Sequence, residues 1–368
     1  MTNNTPYTRL PRSSYWQTSV ARAATSQATL ADLWTPAYEI TRDEKILTVG
    51  SCFAQHIGRA LSAAGFAWHN AEPAPFGLSA ALQKEFHFGV FSFRVGNIYT
   101  PDVLKSWLTW ALDPAAQDRE IWAEEGVFYD PLRPQIEPGG FETEQELCDA
   151  RDATFAAIRN GVKDASVFVF TLGLTECWYN RASGLVYSSC PGTIAGSFAS
   201  EDHGFRNLGY PDVMELLHDV RTLLRRINPD IRMLLTVSPV PLAATAVPRT
   251  HVLTSTVGSS ILRAAAGAFC DLHDDVDYFP SYELVTHPGL SRDMFAPDRR
   301  SVRPDAVNYV MQHFFDGLGV GADQTGGTDH TGPSATEQAV AAALAQDDII
   351  CEEMELEQFN AGTSACST

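Results

Sequence analysis

The sequence predicts a three-layer α/β/α domain, in which helices cover both faces of a parallel sheet. Two runs, residues 166–171 and 231–237, are almost continuously apolar, which is typical of parallel strands that are buried on both faces. Segments with a helical spacing of apolar residues alternate with these strands; they are residues 211–227, 259–270 and 304–315. This alternation favours a flavodoxin-like sheet, whose ligand sites lie beyond the carboxyl ends of its strands.

The first strand and the first helix of this pattern meet at a short turn. Residues 45–50 (KILTVG) form a β-prone apolar run, and residues 53–64 repeat apolar side chains at every third or fourth position. Gly65 then ends the helix as a C-terminal glycine would. We therefore predict half of a β-α-β unit, with Ser51 and Cys52 in the turn.

Composition divides the chain into three parts. Residues 1–30 are interpreted as an N-terminal extension and residues 31–318 as the α/β domain. Within this domain, residues 66–150 are rich in proline and aromatic residues, which predicts a large insertion or lid. Residues 319–368 form a tail, and positions 321–368 contain nine Asp or Glu and no Lys or Arg. Such a composition predicts a disordered acidic tail.

Charge and cysteine content disfavour several classes of function. The formal net charge is -19, which would repel nucleic acid and anionic membrane surfaces. The seven cysteines include no C-x-x-C pair, so zinc sites and thioredoxin-like sites lose support. No apolar run approaches the ~20 residues of a membrane helix, and residues 1–17 do not resemble a signal peptide. We expect a cytoplasmic protein without a membrane span, and its oligomeric state is left open.

Cys52 is the first candidate for chemistry. A thiol at the end of a strand and the start of a helix meets backbone N–H groups and the positive end of a helix dipole, which lower its pKa and bind a developing oxyanion. A buried structural cysteine is the alternative interpretation of the same position.

Five segments of the sequence share a family resemblance. Residues 50–54 spell G-S-C-F-A, and here the sequence resembles the GSCFA-domain family, relatives of the SGNH (GDSL-type) hydrolases. Four further segments are similar to blocks of that family and occur in the expected order: 96–100 (GNIYT), 171–176 (TLGLTE), 236–242 (TVSPVPL) and 278–283 (YFPSYE). The resemblance covers about residues 30–316.

The resemblance implies a nucleophile and an oxyanion site. Cys52 stands where SGNH enzymes carry their serine, so the resemblance makes it the nucleophile of an acyl transfer that passes through a thioester. The oxyanion donor is then expected to be Asn97, or backbone N–H groups near Ser51, Cys52 and Gly96. A turn residue that bonds to its own backbone is the alternative interpretation of Asn97.

Two more residues stand at the family's Gly-x-Asn-Asp block. Thr175 replaces the asparagine that completes the oxyanion hole in SGNH enzymes. Glu176 is expected to hold a substrate hydroxyl or to orient the base, with an ordinary salt bridge as the alternative.

The general base is the weak point of the resemblance. Many SGNH relatives carry an Asp-x-x-His-Pro block before the last helix, whereas residues 300–304 (RSVRP) stand there in this sequence. Arg303 takes the histidine position, and an arginine cannot act as a base near neutral pH. We therefore predict that His251 is the base and that Glu283 orients it, with His287 as the runner-up.

The leading hypothesis is O-acyl transfer or ester hydrolysis on an acetyl-type ester of a carbohydrate or similar polyol. The resemblance suggests this substrate class. The chemistry requires no cofactor, and acyl-coenzyme A is one candidate donor, whose phosphates Arg133, Arg206 and Arg263 could recognise.

Two other hypotheses are left open by the sequence. One is a catalytically degenerate module that binds a glycan or a partner protein. The other is a redox sensor, in which folding would bring Cys177 or Cys190 to Cys52.

Overall fold

The centre of the molecule is a parallel sheet that helices cover on both faces. The computed structural model describes residues 5–26, 30, 32–290, 292–320, 335–345 and 349–356. The strands are β1 (Ile46–Gly50), β2 (Trp122–Glu124), β3 (Val127–Tyr129), β4 (Val167–Leu172), β5 (Glu176–Asn180), β6 (His203–Asn207), β7 (Arg232–Val237) and β8 (Val276–Tyr278). The helices are α1 (Trp16–Ser26), α2 (Phe53–Ala63), α3 (Ala80–Glu85), α4 (Pro101–Leu112), α5 (Glu144–Asp164), α6 (Tyr210–Ile227), α7 (Val257–Leu272), α8 (Ser281–Thr286), α9 (Pro304–Gly317) and α10 (Ala335–Leu344).

The central sheet has four parallel strands in the order β1-β4-β7-β8. Gly50 at the end of β1 pairs with Thr171 of β4, which pairs in turn with Thr236 of β7. The carboxyl ends of these strands therefore meet at one edge of the sheet. The predicted α/β class with a parallel sheet is confirmed, and the flavodoxin-like, SGNH-type assignment stays a prediction.

Alternate residues of β4 face two separate apolar cores. Phe168 and Phe170 pack in one core with residues of α4, α5, α6 and α7. Val167 and Val169 pack in the other core with residues of α2, α9 and α10. Both faces of the strand are buried, which explains why its sequence is continuously apolar rather than alternating.

Four helices that apolar spacing predicted are confirmed. They are α2, α6, α7 and α9, and each begins and ends within two residues of its predicted bounds. Each directs an apolar stripe at the sheet, as Phe53 and Ile57 do on α2. No helix in the described ranges is both long and apolar enough to cross a membrane.

Part of the segment 66–150 is built into the core. Trp107 of α4 is fully buried in the same apolar core as Phe168. Nearby, Asp130 accepts hydrogen bonds from Arg133 at 3.0 Å and Arg151 at 2.8 Å. Burial opposes the charge of Asp130, but the two guanidinium groups outweigh it and lower its pKa to about 2. This part of the segment is structural, and the predicted lid is not confirmed.

Two parts of the acidic tail pack against the body, which differs from the predicted disorder. Val340 and Leu344 of α10 are buried in the same apolar core as Phe53. Residues 349–356 then reach the carboxyl edge of the sheet, where Ile350 bonds to Gln55. The acidic composition hid these contacts because a few apolar residues at helical spacing are enough to dock a short helix. The rest of the tail (321–334, 346–348 and 357–368) lies outside the described residues.

Candidate functional site

The site is built on the close contact between the ends of β1 and β4. Gly50 has a φ of +137°, and a Cβ at this position would lie 2.4 Å from the carbonyl oxygen of Thr171. Only glycine allows this approach. It lets the N–H of Ser51 donate to that carbonyl at 3.0 Å and sets Cys52 directly before α2.

Cys52 is buried in this conformation, with 6% of its surface exposed. Its thiol is hydrogen-bonded to Cys351, a residue of the tail. This hydrogen bond raises the pKa of Cys52 well above its usual value, and burial and the negative charges of Cys351 and Glu353 add to the effect, while Arg300 opposes it. The sequence predicted an accessible, ionised thiol; here the thiol is protonated and covered.

The cover is the tail segment 350–353, which the chain binds through backbone and side-chain groups. Gln55 donates from Nε2 to the carbonyl of Ile350 at 2.7 Å and accepts the N–H of Ile350 at 3.2 Å. Asn97 donates from Nδ2 to the same carbonyl at 3.0 Å. Gln55 thus binds both backbone groups of Ile350, as a neighbouring strand would. These contacts fix the position of the tail segment over Cys52.

Glu352 is the most deeply inserted tail carboxylate. Its Oε2 accepts hydrogen bonds from Asn97 Nδ2 and, at 2.8 Å, from the hydroxyl of Tyr99. Burial raises the pKa of Glu352, and these two donors oppose the shift. Gly96 lies beside the carboxylate, where a Cβ would be in ordinary contact at 3.9 Å from Glu352 Oε1, and its φ of +70° is the reason that glycine is favoured there. Asn97 and Tyr99 therefore form a two-donor site for an oxygen.

The second tail carboxylate, Glu353, is paired with Arg300. Nη2 of Arg300 donates to Glu353 Oε2 at 2.7 Å, and its Nε donates to the carbonyl of Pro241 at 3.0 Å. Burial raises the pKa of Glu353 to about 7, although Arg300 opposes this. Residues 300–304 do reach the site, but through Arg300. Arg303, which the resemblance placed at the histidine position, is exposed and pairs with Asp305 at 2.9 Å.

Cys351 completes the cluster with a second thiol. The hydrogen bond from Cys52 lowers the pKa of Cys351 to about 5; burial opposes this, and Arg300 and Tyr99 add to the lowering. The hydroxyl of Tyr99 lies 3.7 Å from the Cys351 sulfur. Because the two thiols share a hydrogen bond, they titrate as a pair that carries one negative charge near neutral pH.

The predicted base and its orienting carboxylate are not brought together. His251 is exposed and its Nδ1 accepts the N–H of Leu253 at 3.1 Å. Glu283 forms an ion pair with Arg263 and accepts the Tyr278 hydroxyl at 2.8 Å. The early position of Glu283 on α8 directs it to α7, so its oxygens are already occupied.

The runner-up base also has other contacts. Nδ1 of His287 accepts the N–H of Gly289 at 3.0 Å, and its ring centroid lies 5.3 Å from that of Trp16. Within the described ranges, no hydrogen bond joins His251 or His287 to Cys52.

Thr175 and Glu176 serve the loops around the site. Thr175 is buried, and its carbonyl accepts the N–H of Leu208 at 2.8 Å. Glu176 accepts the hydroxyl of Thr245 at 2.6 Å and the N–H of Ala246 at 2.9 Å. Glu176 therefore fixes the loop after β7, a role that neither predicted alternative anticipated.

Ser51 lies beside the cluster, but its backbone N–H is already hydrogen-bonded. Its N–H donates to Thr171, so it does not point to an incoming oxygen. Its Oγ is buried without a hydrogen-bond partner, as is Oγ1 of Thr171. These hydroxyls are available to a group that enters the strand ends.

The three arginines proposed for coenzyme A phosphates are engaged elsewhere. Arg133 is buried and bonds to Asp130, Arg206 pairs with Asp102 at 2.7 Å, and Arg263 pairs with Glu283. Nothing in their present contacts favours phosphate recognition.

A cavity of about 560 Å³ shares three residues, Tyr99, Glu352 and Glu353, with the cluster around the thiols. Leu174, Trp178 and Phe198 give it apolar walls, while Tyr99, Glu352 and Glu353 lie on the side nearest the cysteines. Two hydroxyls in its lining, Thr100 Oγ1 and Ser189 Oγ, are buried without partners. A volume of this size is typical of small-molecule sites.

Sequence reasoning missed four residues of this site: Gln55, Tyr99, Arg300 and Cys351. Tyr99 and Arg300 lay inside segments that the sequence had singled out, 96–100 and 300–304. The signal for Cys351 was weaker: it follows two isoleucines, an apolar triplet within an acidic tail. In the part of the chain that the structure describes, no group of three or more His, Cys, Asp or Glu could hold a metal ion.

The comparisons with known proteins give one match. No curated protein and no solved structure matches the chain. The sequence model of the GSCFA family matches residues 45–314, a range that includes the Gly50–Cys52 turn, Tyr99 and Arg300. The chain therefore belongs to the GSCFA family.

Proposed function

We propose that the chain is an acyl-transfer enzyme in which Cys52 attacks an ester carbonyl and carries the acyl group as a thioester. The acceptor is a hydroxyl group in O-acyl transfer or water in hydrolysis. The substrate class is an acetyl-type ester of a carbohydrate or a similar hydroxylated molecule. The observation that carries this proposal is the convergence of Asn97 Nδ2 and Tyr99 OH on one oxygen of Glu352 beside the thiols.

Withdrawal of the tail segment activates Cys52 in this proposal. Three contributions that raise its pKa leave with the tail: the hydrogen bond to Cys351, the charge of Cys351 and the charge of Glu353. Arg300, which lowers the pKa, stays with the body, and so does the N-terminus of α2. The remaining groups favour the thiolate, so this route needs no histidine.

The departing tail also frees the two donors for the reaction. The Cys52 thiolate attacks the ester carbon, and the oxyanion that forms takes the place of Glu352 Oε2 between Asn97 and Tyr99. The carbon–oxygen bond of the ester breaks, and the leaving alkoxide takes a proton from water. A second hydroxyl then attacks the thioester, loses its proton to water and releases the thiolate.

The cavity offers a place for the hydroxylated part of the substrate. The aromatic side chains of Trp178 and Phe198 suit the apolar face of a ring, and the unpartnered hydroxyls of Thr100 and Ser189 suit its polar edge. The carboxylate of Glu176 also lies in the lining, which disfavours an anionic ligand. Acyl-coenzyme A is proposed as one candidate for the donor.

A base function for His251, oriented by Glu283, is an alternative within the same proposal. It would require Glu283 to leave Arg263 and Tyr278, and the loop of His251 to move toward Cys52. A base function for His287 would likewise require it to release the N–H of Gly289 and to move toward Cys52.

A degenerate binding module is the second candidate function. The contacts of His251 and His287 favour it, because neither is hydrogen-bonded to Cys52. In this case the cavity would bind a glycan or a partner protein without turnover.

Turnover of p-nitrophenyl acetate by Cys52→Ala tests the proposed function. We expect release of p-nitrophenol by the unaltered chain and its loss in Cys52→Ala, because Cys52 stands at the end of β1, next to the two donors of the proposed oxyanion site. Cys148→Ala, at a half-exposed cysteine on α5, is the matched control and should keep full turnover. Equal turnover by all three proteins would contradict the proposal, and absence of turnover with retained glycan binding would support the binding module.

A further inference from the structure

The site contains two thiols where the proposed reaction uses one. Cys351 reaches Cys52 from a tail segment that is fastened on both sides of it, by Gln55 at Ile350 and by Arg300 at Glu353. The anchors keep the two sulfur atoms in hydrogen-bond contact. No other pair of cysteines in the described residues shares such a contact.

We propose that Cys351 and Cys52 form a second reactive centre, which reduces a hydroperoxide and closes to a disulfide. Cys351 is the attacking sulfur and Cys52 is the resolving one. The substrate class is hydrogen peroxide or a small organic hydroperoxide. This activity does not depend on the proposed acyl transfer.

The reaction balances with the peroxide as its oxidant. The Cys351 thiolate attacks one peroxide oxygen, the oxygen–oxygen bond breaks, and the leaving oxygen takes a proton from water to give water or an alcohol. Cys351 is now a sulfenic acid. The sulfur of Cys52 attacks it, the disulfide bond forms, and the hydroxide leaves as water with the proton of the Cys52 thiol. Two electrons pass from the two sulfurs to the peroxide, and an external dithiol restores the pair.

The charges around the pair assign these two roles. Cys52, Arg300 and Tyr99 stabilise the anion on Cys351, whereas Glu352 and Glu353 oppose it. With a pKa lowered to about 5 by the hydrogen bond from Cys52, Cys351 is a thiolate at neutral pH. Cys351 is also the less buried of the two, since only 6% of the surface of Cys52 is exposed.

Other cysteines of the body are poor competitors. Burial raises the pKa of Cys177 and of Cys190 to about 11 and that of Cys270 to about 12. Since the thiolate is the reactive form, these side chains react slowly with peroxide near neutral pH. The sequence pointed to Cys177 or Cys190 as the partner of Cys52, and the fold brings Cys351 instead.

Mapping of disulfides in the full-length chain tests the proposal. The reduced protein is treated with a few equivalents of hydrogen peroxide, free thiols are blocked, and the chain is cut with trypsin and a glutamate-specific protease. The second protease separates Cys351 from Cys366, because Glu352 and Glu357 lie between them. Mass spectrometry without reduction should show one main cross-link, Cys52 to Cys351, which dithiothreitol removes.

Two variants assign the roles of the sulfurs. In Cys351→Ser we expect peroxide consumption to fall at least tenfold, because the thiolate is gone. In Cys52→Ser we expect peroxide to be consumed only until Cys351 is oxidised, because no second sulfur resolves the sulfenic acid, which a dimedone probe then labels. Cys148→Ser is the matched control and should form the same cross-link as the unaltered chain. The proposal is overturned if peroxide produces no Cys52–Cys351 link, or if Cys52 links mainly to other cysteines.

Discussion

Arg300 binds Glu353 through a hydrogen bond of 2.7 Å, and this buried ion pair fastens the C-terminal segment over Cys52. The same guanidinium group stabilises the Cys351 anion and lowers the pKa of Cys52. One arginine therefore connects the cover of the site with the chemistry beneath it.

Removing the tail carboxylate should expose the nucleophile. In Glu353→Ala the ion pair with Arg300 is lost, the tail docks less tightly, and Cys52 gains both access and thiolate character. We expect the rate of Cys52 alkylation by iodoacetamide at pH 7 to rise at least tenfold, measured on the Cys52 peptide by mass spectrometry. Glu355→Ala removes an equal charge from an exposed position of the same segment and should leave the rate unchanged. An unchanged rate in Glu353→Ala would show that the ion pair does not hold the cover.

Asn97 should matter for the chemical step. Replacing Asn97 by Ala removes one of the two donors that converge on Glu352 Oε2. In the Glu353→Ala background, where the tail is already loosened, we expect kcat for p-nitrophenyl acetate to fall by about 10²-fold, with a smaller change in KM. Asn308→Ala, on α9, is the control and should keep kcat. A rise in KM with kcat unchanged would indicate that Asn97 binds the substrate without stabilising the oxyanion.

The peroxide reaction should have the pH profile of a thiol whose pKa is lowered. Since the pKa of Cys351 is lowered to about 5, its thiolate is present above that pH and is lost as the pH falls through it. Peroxide consumption should therefore be level from about pH 6.5 to 8, where an ordinary thiol with a pKa near 8.5 is still gaining rate.

Two variants test which charges set the pKa of Cys351 and hence this pH profile. Arg300→Gln removes the positive charge beside Cys351, so the profile should shift to higher pH and the rate at pH 6 should fall about tenfold. Glu353 becomes charged near pH 7 and opposes the thiolate, while a glutamine at this position can still accept the hydrogen bond of Arg300 and keep the tail docked. Glu353→Gln should therefore keep the level region. A rate that rises steadily through pH 8 in the unaltered chain would show that Cys351 is an ordinary thiol.

The buried ion network behind the site should control stability. Asp130 is fully buried between Arg133 and Arg151, and Asp130→Asn leaves two guanidinium groups without their shared carboxylate. We expect the free energy of unfolding in urea to fall by about 3–5 kcal/mol. Asp164→Asn breaks the exposed pair with Lys45 and should change it little. Equal losses of unfolding free energy in the two variants would mean that breaking a buried ion network destabilises the protein no more than breaking an exposed ion pair.

The sequence predicted the elements with long, regular patterns. The buried strands β4 and β7 and the helices α2, α6, α7 and α9 follow from apolar periodicity, because each buries a stripe or both faces in the core. The short antiparallel strands β5 and β6 were missed, because they mix polar and half-buried residues and show no clear period. Docking of α10 was missed as well, because acidic composition outweighed its few apolar residues.

The sequence allowed prediction of the part of the site that lies within one continuous segment. Gly50 and Cys52 belong to one local turn, so their positions could be foreseen. The pairing of His251 with Glu283 depended on distances between loops, and α8 instead directs Glu283 to Arg263. Cys351 lies almost three hundred positions from Cys52 in the sequence, and only the packing of α10 returns the chain to the site.

Trapping of the acyl intermediate tests the central claim most directly. The Glu353→Ala chain is mixed briefly with p-nitrophenyl acetate, quenched with acid and digested, and the peptides are analysed by mass spectrometry. We predict one acetyl group on the peptide that contains Cys52, removed by hydroxylamine and absent when Cys52 is replaced by alanine. Turnover that continues without any acetyl group on Cys52 would contradict the account.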